Sequence, residues 1–330
     1  CVLALLELLG ALVLVVLAAD AFTNAVEWID ARTGLTRSAA GAIVAAIGSS
    51  LPETIVAVIA LVILHDPASQ AIGIGTVIGA PFMLGTVVFS LIGTIALFRP
   101  KRRGEPALAI PVEPTIFGGT LFFITFALAL AASFVRNRLA HEAAALLVLA
   151  AYGVYLYYHL RVEEPEGEAT PPALRIAPRS KNPSWTLIWI QLCIALAITS
   201  AASRWLVASL SQAALVFAVS PLIISLLLSP IATELPEASS VVLWMRRRED
   251  TLAMNNVLGA MMFQTSIACA IAMLATPWQL GANAYAAGLA ALSAVALLVI
   301  TTLISRRVQP LALAVAGLGY IAYLVLARHF

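Results

Sequence analysis

Two stretches of this chain carry groups able to do chemistry, Ala46-Ile47-Gly48-Ser49-Ser50-Leu51-Pro52-Glu53-Thr54 and Ile231-Ala232-Thr233-Glu234-Leu235-Pro236-Glu237-Ala238. Each sets hydroxyls, a proline and a glutamate inside a long apolar run. A carboxylate at membrane depth costs roughly 2.5–3.5 kcal/mol on insertion scales, so its presence there points to function. In a helix, Pro52 has no N–H to give to the carbonyl of Gly48, and Pro236 leaves that of Ala232 free. Carboxylates, hydroxyls and released carbonyls are hard oxygen donors, suited to Na⁺ or Ca²⁺. The plainer reading of one copy is a proline kink whose glutamate bonds to a neighbouring helix. Two copies favour an ion site, with Glu53 and Glu237 as its metal ligands and Ser49, Ser50, Thr233 and Glu234 beside them.

The elements that must hold these groups are membrane helices. The sequence has 330 residues, of which 62% are hydrophobic and 11% charged, against about 25% charged in a soluble domain. Apolar runs of about 20 residues indicate helices rather than barrel strands. The expected fold class is an all-α polytopic membrane protein of about ten transmembrane helices. The spans read as Val2–Ala19, Ser38–Leu64, Ala71–Phe98, Thr115–Val135, Ala140–Leu160, Trp185–Leu206, Ala213–Met245, Thr251–Leu274, Ala282–Ile304 and Leu311–Leu326. Asp20 to Arg37 reads as an interfacial extension of the first helix.

Basic residues orient the spans. Arg32, Arg37, Arg99, Lys101, Arg102, Arg103, Arg161, Arg175, Arg179, Lys181, Arg246, Arg247, Arg248, Arg306 and Arg307 follow odd-numbered spans. The other side has Arg136, Arg138, Arg204 and Arg328. Both termini should therefore face outward and the 161–184 linker the cytoplasm, in the plasma (inner) membrane. That linker is polar and proline-rich and reads as a flexible connector. Cys193 and Cys269 read as buried apolar residues, and Cys1 as a sign of trimming or processing. His65, His141, His159 and His329 fall at span ends, with no metal-ligand spacing. The partners expected are inorganic cations and the lipid bilayer. No basic domain offers a nucleic-acid site, and no cofactor is expected beyond the transported Ca²⁺, Na⁺ or H⁺.

An offset of 184 superposes Ser49 on Thr233, Ser50 on Glu234, Pro52 on Pro236, Glu53 on Glu237 and Asp66 on Asp250. One span later, at an offset of 180, Gly75-Thr76-Val77-Ile78-Gly79-Ala80 meets Asn255-Asn256-Val257-Leu258-Gly259-Ala260. Five spans per half force the second copy to enter the membrane upside down, the inverted repeat of many secondary transporters. The halves are 1–160 and 185–330. Gly75 and Gly79 form a G-x-x-x-G pair for close helix approach. That packing would turn Thr76 and Asn256 toward the two glutamates as neutral donors.

These residues resemble the cation/calcium antiporter superfamily, which includes the sodium/calcium exchangers. The family motif of each inverted α-repeat pairs a G-T-S-x-P-E-like helix with a following G-N-x-x-G-S-N-like helix. Here they read GSSLPE (48–53) with GTVIGAP (75–81), and ATELPE (232–237) with NNVLGAM (255–261). The resemblance implies antiport of a divalent cation, typically Ca²⁺, against Na⁺, H⁺ or K⁺. It makes Glu53 and Glu237 the central ligands and Ser49, Ser50, Thr233, Thr76 and Asn256 contributors. The chain departs at Thr76, Pro81 and Met261, where the family has Asn, and at Glu234, where it has a small hydroxyl residue.

Glu234 has its own consequence. One Ca²⁺ neutralises two carboxylates, and a third in a dry site is costly as an anion, which makes Glu234 the expected proton carrier. The alternative has it pairing with a basic group at the membrane edge. The competing functions are a Na⁺/H⁺ or K⁺-coupled exchanger of the same fold, a cation channel and an intramembrane hydrolase. No Ser/His or Asp/Asp constellation supports the hydrolase, so the chain is not expected to be an enzyme.

Overall fold

The computed structural model describes residues 2–33, 46–64, 66–100, 107–161 and 171–326, without the side chains of Asp30, Thr33, residues 46–49, Ala232 and Pro236. Among the described residues every regular element is helical. In chain order they are α1 (Val2–Thr33), α2 (Ala46–Val58, continued by π-helical Ile59–Leu64) and α3 (Pro67–Met83, a π turn Leu84–Val88, and Phe89–Phe98). Next come α4 (Val112–Ala132), α5 (Arg138–Arg161), α6 (Trp185–Phe217) and α7 (Pro221–Arg247). The last are α8 (Asp250–Phe263, a π turn Gln264–Ala268, and Cys269–Ala275), α9 (Ala282–Ser305) and α10 (Pro310–Leu326).

By length and composition, 7 of the described helices could cross a membrane, or 8 if the two limbs of α7 form one span. Those limbs, Pro221–Leu235 and Glu237–Arg247, meet at 49°, at the proline that withholds an N–H from the ladder. Ser50–Leu64 and Pro310–Leu326 are apolar but shorter.

Boundaries follow local chemistry. Asp66 caps α3, its carboxylate accepting from the N–H groups of Ala68 at 3.1 Å and Ser69 at 3.0 Å, with Pro67 following it. Those bonds, led by the Ser69 hydroxyl, hold its carboxyl below the usual range. The sixth span was expected to end at Leu206, yet α6 runs to Phe217. Its apolar and small residues continue the helix until Ala218 turns left-handed at φ 51°. The seventh accordingly begins at Pro221, whose ring suits the first helical turn, rather than at Ala213. The expected continuation of the first helix is present as far as Thr33. Arg37, His65, Lys101, Arg102, Arg103, Arg328, His329 and Cys1 lie outside the described residues.

Helices pack chiefly as α1 on α6, α3 on α7, α4 on α9 and the end of α3 on α10. In lipid such pairs are held by close van der Waals contact. One close approach is at the expected glycines. A Cβ at Gly75 would stand 2.6 Å from the Leu222 carbonyl oxygen, and one at Gly79 2.6 Å from that of Leu226. The two backbones therefore touch, and the partner of α3 is α7, one of the two helices that carry a Pro-Glu pair.

The linker is a correction. Residues 162–170 are outside the described set, but 171–184 are docked rather than flexible. Leu174 is fully buried against Ala25, Trp28 and Ile188. The indole N–H of Trp28 donates to the Pro172 carbonyl at 2.9 Å, and Arg175 grips Asp20 at 2.8 and 3.0 Å. The Gln191 amide donates to the Ala21 carbonyl at 2.8 Å and to Asn24 Oδ1 at 3.0 Å, while its oxygen accepts from the N–H of Ile176 at 3.0 Å. Proline and charge lowered the apparent order of this stretch, whereas α1 and α6 supply its partners.

One further expectation changes. Cys193 is exposed on α6, and only Cys269 of the described cysteines is buried. His141 and His159 lie near the two ends of α5, as expected, and are buried. Asp250 does not repeat the role of Asp66 as a side-chain cap. It is buried, accepts both terminal nitrogens of Arg99 at 2.7 and 2.5 Å, and accepts from the N–H of Ala109 at 3.0 Å.

Candidate functional site

Glu53 on α2 and Glu234 and Glu237 on α7 are 2%, 0% and 2% exposed. Glu234 and Glu237 are three apart and share a face of the helix. The Glu53 carboxyl meets that of Glu234, which also meets Glu237. The alternative, in which Glu234 turns away to pair with a basic group at the membrane edge, is therefore not what the structure shows. Asn256 on α8 donates to Glu237 Oε1 at 2.8 Å.

Between the first two carboxyls stands a residue that the sequence reading missed. Gln264 opens the π turn of α8, and its Nε2 donates to Glu53 Oε2 at 2.9 Å and to Glu234 Oε1 at 2.8 Å. The signal was available in the repeat offset of 180, which sets Gln264 on Leu84. An apolar residue in one copy thus meets a hydrogen-bonding one in the other. The two π turns fall at the same offset, and each is pinned by a hydroxyl: Thr86 to the Phe82 carbonyl at 2.5 Å, Ser266 to that of Met262 at 2.6 Å. Such turns re-aim side chains and recur at functional sites.

The remaining expected residues divide. The Ser50 hydroxyl is fully buried and makes no hydrogen bond. Thr233 donates to the Ser229 carbonyl of its own helix at 3.2 Å, which leaves its oxygen lone pairs available. Thr54 likewise donates to the Ser50 carbonyl at 3.1 Å. Thr76 does not reach a glutamate. Its hydroxyl donates to Ser229 Oγ at 3.1 Å, because α3 lies so close to α7. Nothing is described of the Ser49 side chain.

The electrostatics are unbalanced. Glu53 Oε1 and Glu234 Oε2 are buried and receive no donor, and the Ser50 hydroxyl and Gln264 Oε1 have no partner either. Two carboxyl groups in contact, with donorless oxygens, need a proton or a cation between them. The neighbouring oxygens are of the hard type that Na⁺ and Ca²⁺ accept. Among the described residues no three His, Cys, Asp or Glu side chains are spaced to close on one metal ion. Amide and hydroxyl oxygens must complete any shell.

The sequence profile of the family described as "Sodium/calcium exchanger protein" matches residues 3–161 and 187–328. The chain belongs to this family. Among curated relatives, the inner membrane protein YrbG of Escherichia coli K12 is 26% identical over 287 residues, covering 84% of this chain and 82% of its own. The putative antiporter CaxA of Alkalimonas amylolytica is 24% identical over 279 residues, covering 83% of this chain and 81% of its own. The fold matches the crystal structure of the H⁺/Ca²⁺ exchanger CAX, with a TM-score of 0.69, 17% identity and coverage of 99% of this chain and 88% of that one. It also matches the sodium-calcium exchanger NCX_Mj, with a TM-score of 0.64, 20% identity and coverage of 98% of each chain. In this exchanger-family chain, the carboxylate cluster sits where its two long matched segments meet.

Proposed function

We propose that the chain is a secondary active antiporter that carries Ca²⁺, or a cation of similar demand, against Na⁺ or H⁺ by alternating access. The observation that carries this reading is the contact of Glu53 with Glu234, from the two halves of the chain, each with a buried oxygen that receives no donor. Such a site is poor when empty, so it crosses loaded with one ion or the other, and obligatory exchange follows. Glu53 and Glu237 act as the central ligands. Ser49, Ser50, Thr233 and Gln264 supply neutral oxygens, Asn256 orients Glu237, and Glu234 carries the balancing charge.

The architecture proposed is ten spans in two inverted five-helix repeats, 1–160 and 185–330, joined by the linker 161–184. The π turns at Leu84–Val88 and Gln264–Ala268, with matching hydroxyl bonds, support it. So does the pairing of helices, since α3 meets α10 as α8 meets α5, and α4 meets α5 as α9 meets α10. The basic loops favour cytoplasmic placement of the linker and outward termini in the inner membrane.

The test is counterflow. Purified protein in sealed vesicles should accumulate labelled Ca²⁺ when an outward Na⁺ or H⁺ gradient is imposed. Dissipation of gradients without accumulation would mark a channel instead.

A further inference from the structure

Behind the carboxylates, α4, α5 and α8 enclose a second set of buried polar groups. Tyr152, Tyr155 and His159 stand on one face of α5 and are 6%, 0% and 1% exposed. The tyrosine rings stack 6.3 Å apart at 13°, and the Tyr155 ring lies 4.4 Å from that of His159. Asn255 belongs to the same seam. It shares a face of α8 with Leu258 and Met262. Leu258 and Tyr155 would both touch a Cβ placed at Gly118 of α4, and Met262 Sδ takes the Thr125 hydroxyl of α4 at 3.9 Å. The hydroxyls of Tyr152 and Tyr155 and the Nδ2 of Asn255 are buried without hydrogen-bond partners. Three such atoms in one seam are out of keeping with an apolar packing surface, and buried polar groups in a cluster are served by ordered water.

The seam has two ends. At one, Tyr152 meets Phe263 edge-on at 5.8 Å, next to Gln264, which holds Glu53 and Glu234. At the other, His159 lies two residues from Arg161, where α5 ends. We propose that Tyr152, Tyr155 and His159, with water beside Asn255, form a proton route between the carboxylate cluster and the cytoplasmic end of α5, separate from the path of the metal cation. The proposal rests on the antiport reading with H⁺ as a counter-ion. A proton leaving a glutamate passes along hydroxyls and water by exchange of hydrogen bonds. Each relay group accepts one proton and releases another, so none changes its net state.

Other titratable groups on these helices do not interrupt the seam. Asp250 on α8 is engaged by Arg99. Glu113 on α4 lines a separate groove with Tyr158, Arg161 covers Tyr157, and Cys269 is buried further along α8. On α5 itself, His141, Arg138 and Glu142 belong to its opposite end.

The test uses the whole protein in sealed vesicles with a trapped pH dye and labelled Ca²⁺. The double variant Tyr152→Phe/Tyr155→Phe removes two hydroxyls and leaves the rings. It should slow H⁺-driven Ca²⁺ uptake tenfold or more, with Na⁺-driven uptake and equilibrium Ca²⁺ binding within twofold of the parent. Parental H⁺-driven uptake in the double variant overturns the route, as does a parent that moves Ca²⁺ without H⁺. Absence of accumulation in the parent under either gradient overturns antiport itself.

Discussion

Glu53 and Glu237 lie on different helices, with Glu234 touching both. Loss of a buried charge from such a group costs about 2–5 kcal/mol of binding. Glu53→Gln and Glu237→Gln should therefore each reduce cation transport by about a hundredfold or more, while the protein still inserts and purifies. Near-normal exchange by either refutes the assignment, as read by labelled Ca²⁺ flux. Glu234 should instead govern proton coupling. Flux measured from about pH 5.5 to 8.5 should change its profile in Glu234→Ser, and coincident profiles for variant and parent would remove Glu234 from that role. The three glutamates were legible because a proline and a carboxylate in an apolar run have few bland explanations. Gln264 was missed although the offset of 180 sets it on Leu84, because one amide in a membrane span reads as interhelical glue until the π turn shows its aim. Thr76 was misread through its register. The glycines that suggested close packing bring α3 so near α7 that its hydroxyl finds Ser229 first.

At the scale of elements, hydropathy located the helices and erred at their ends. Nothing apolar distinguishes the last turns of α6 from the start of α7, and the left-handed Ala218 carries no signal of its own. The docked linker was hidden for a different reason. Its order comes from partners on α1 and α6, far away in sequence. Those partners rank clearly by burial. The Arg175–Asp20 pair is 47% and 45% exposed, and such pairs contribute about 0.2–1 kcal/mol. Gln191 is 1% exposed and serves three groups, each costly to leave unmatched at about 1–3 kcal/mol. Gln191→Leu should therefore lower the melting temperature in detergent markedly more than Arg175→Ala. Equal losses would show that the linker is held by its surface charge.

At the scale of the molecule, the proposed inverted repeat rests in the sequence on two offsets, 184 and 180, because both the prolines and the small residues of α3 and α8 recur. Orientation came from arginine and lysine alone. It predicts that, in intact cells with the native cysteines replaced, an impermeant thiol reagent labels Arg136→Cys from outside. Arg179→Cys should react only once the membrane is opened, and the reverse pattern would invert the topology. The contact of α3 with α7 at Gly75 and Gly79 seats the Ser225 hydroxyl and the Pro230 ring, with the Leu222 and Leu226 carbonyls, against the glycine backbone. By contrast, α1 meets α6 through Leu8, Ala11, Val15, Leu206, Val207 and Leu210. Near the linker, Gln191 fastens α6 to α1 through the Ala21 carbonyl and Asn24. One pair is thus keyed like gear teeth, and the other is a smooth apolar bearing yoked at one end. Under the alternating access proposed above, α1 and α6 are the pair expected to travel together, with α3 and α7 as the axle.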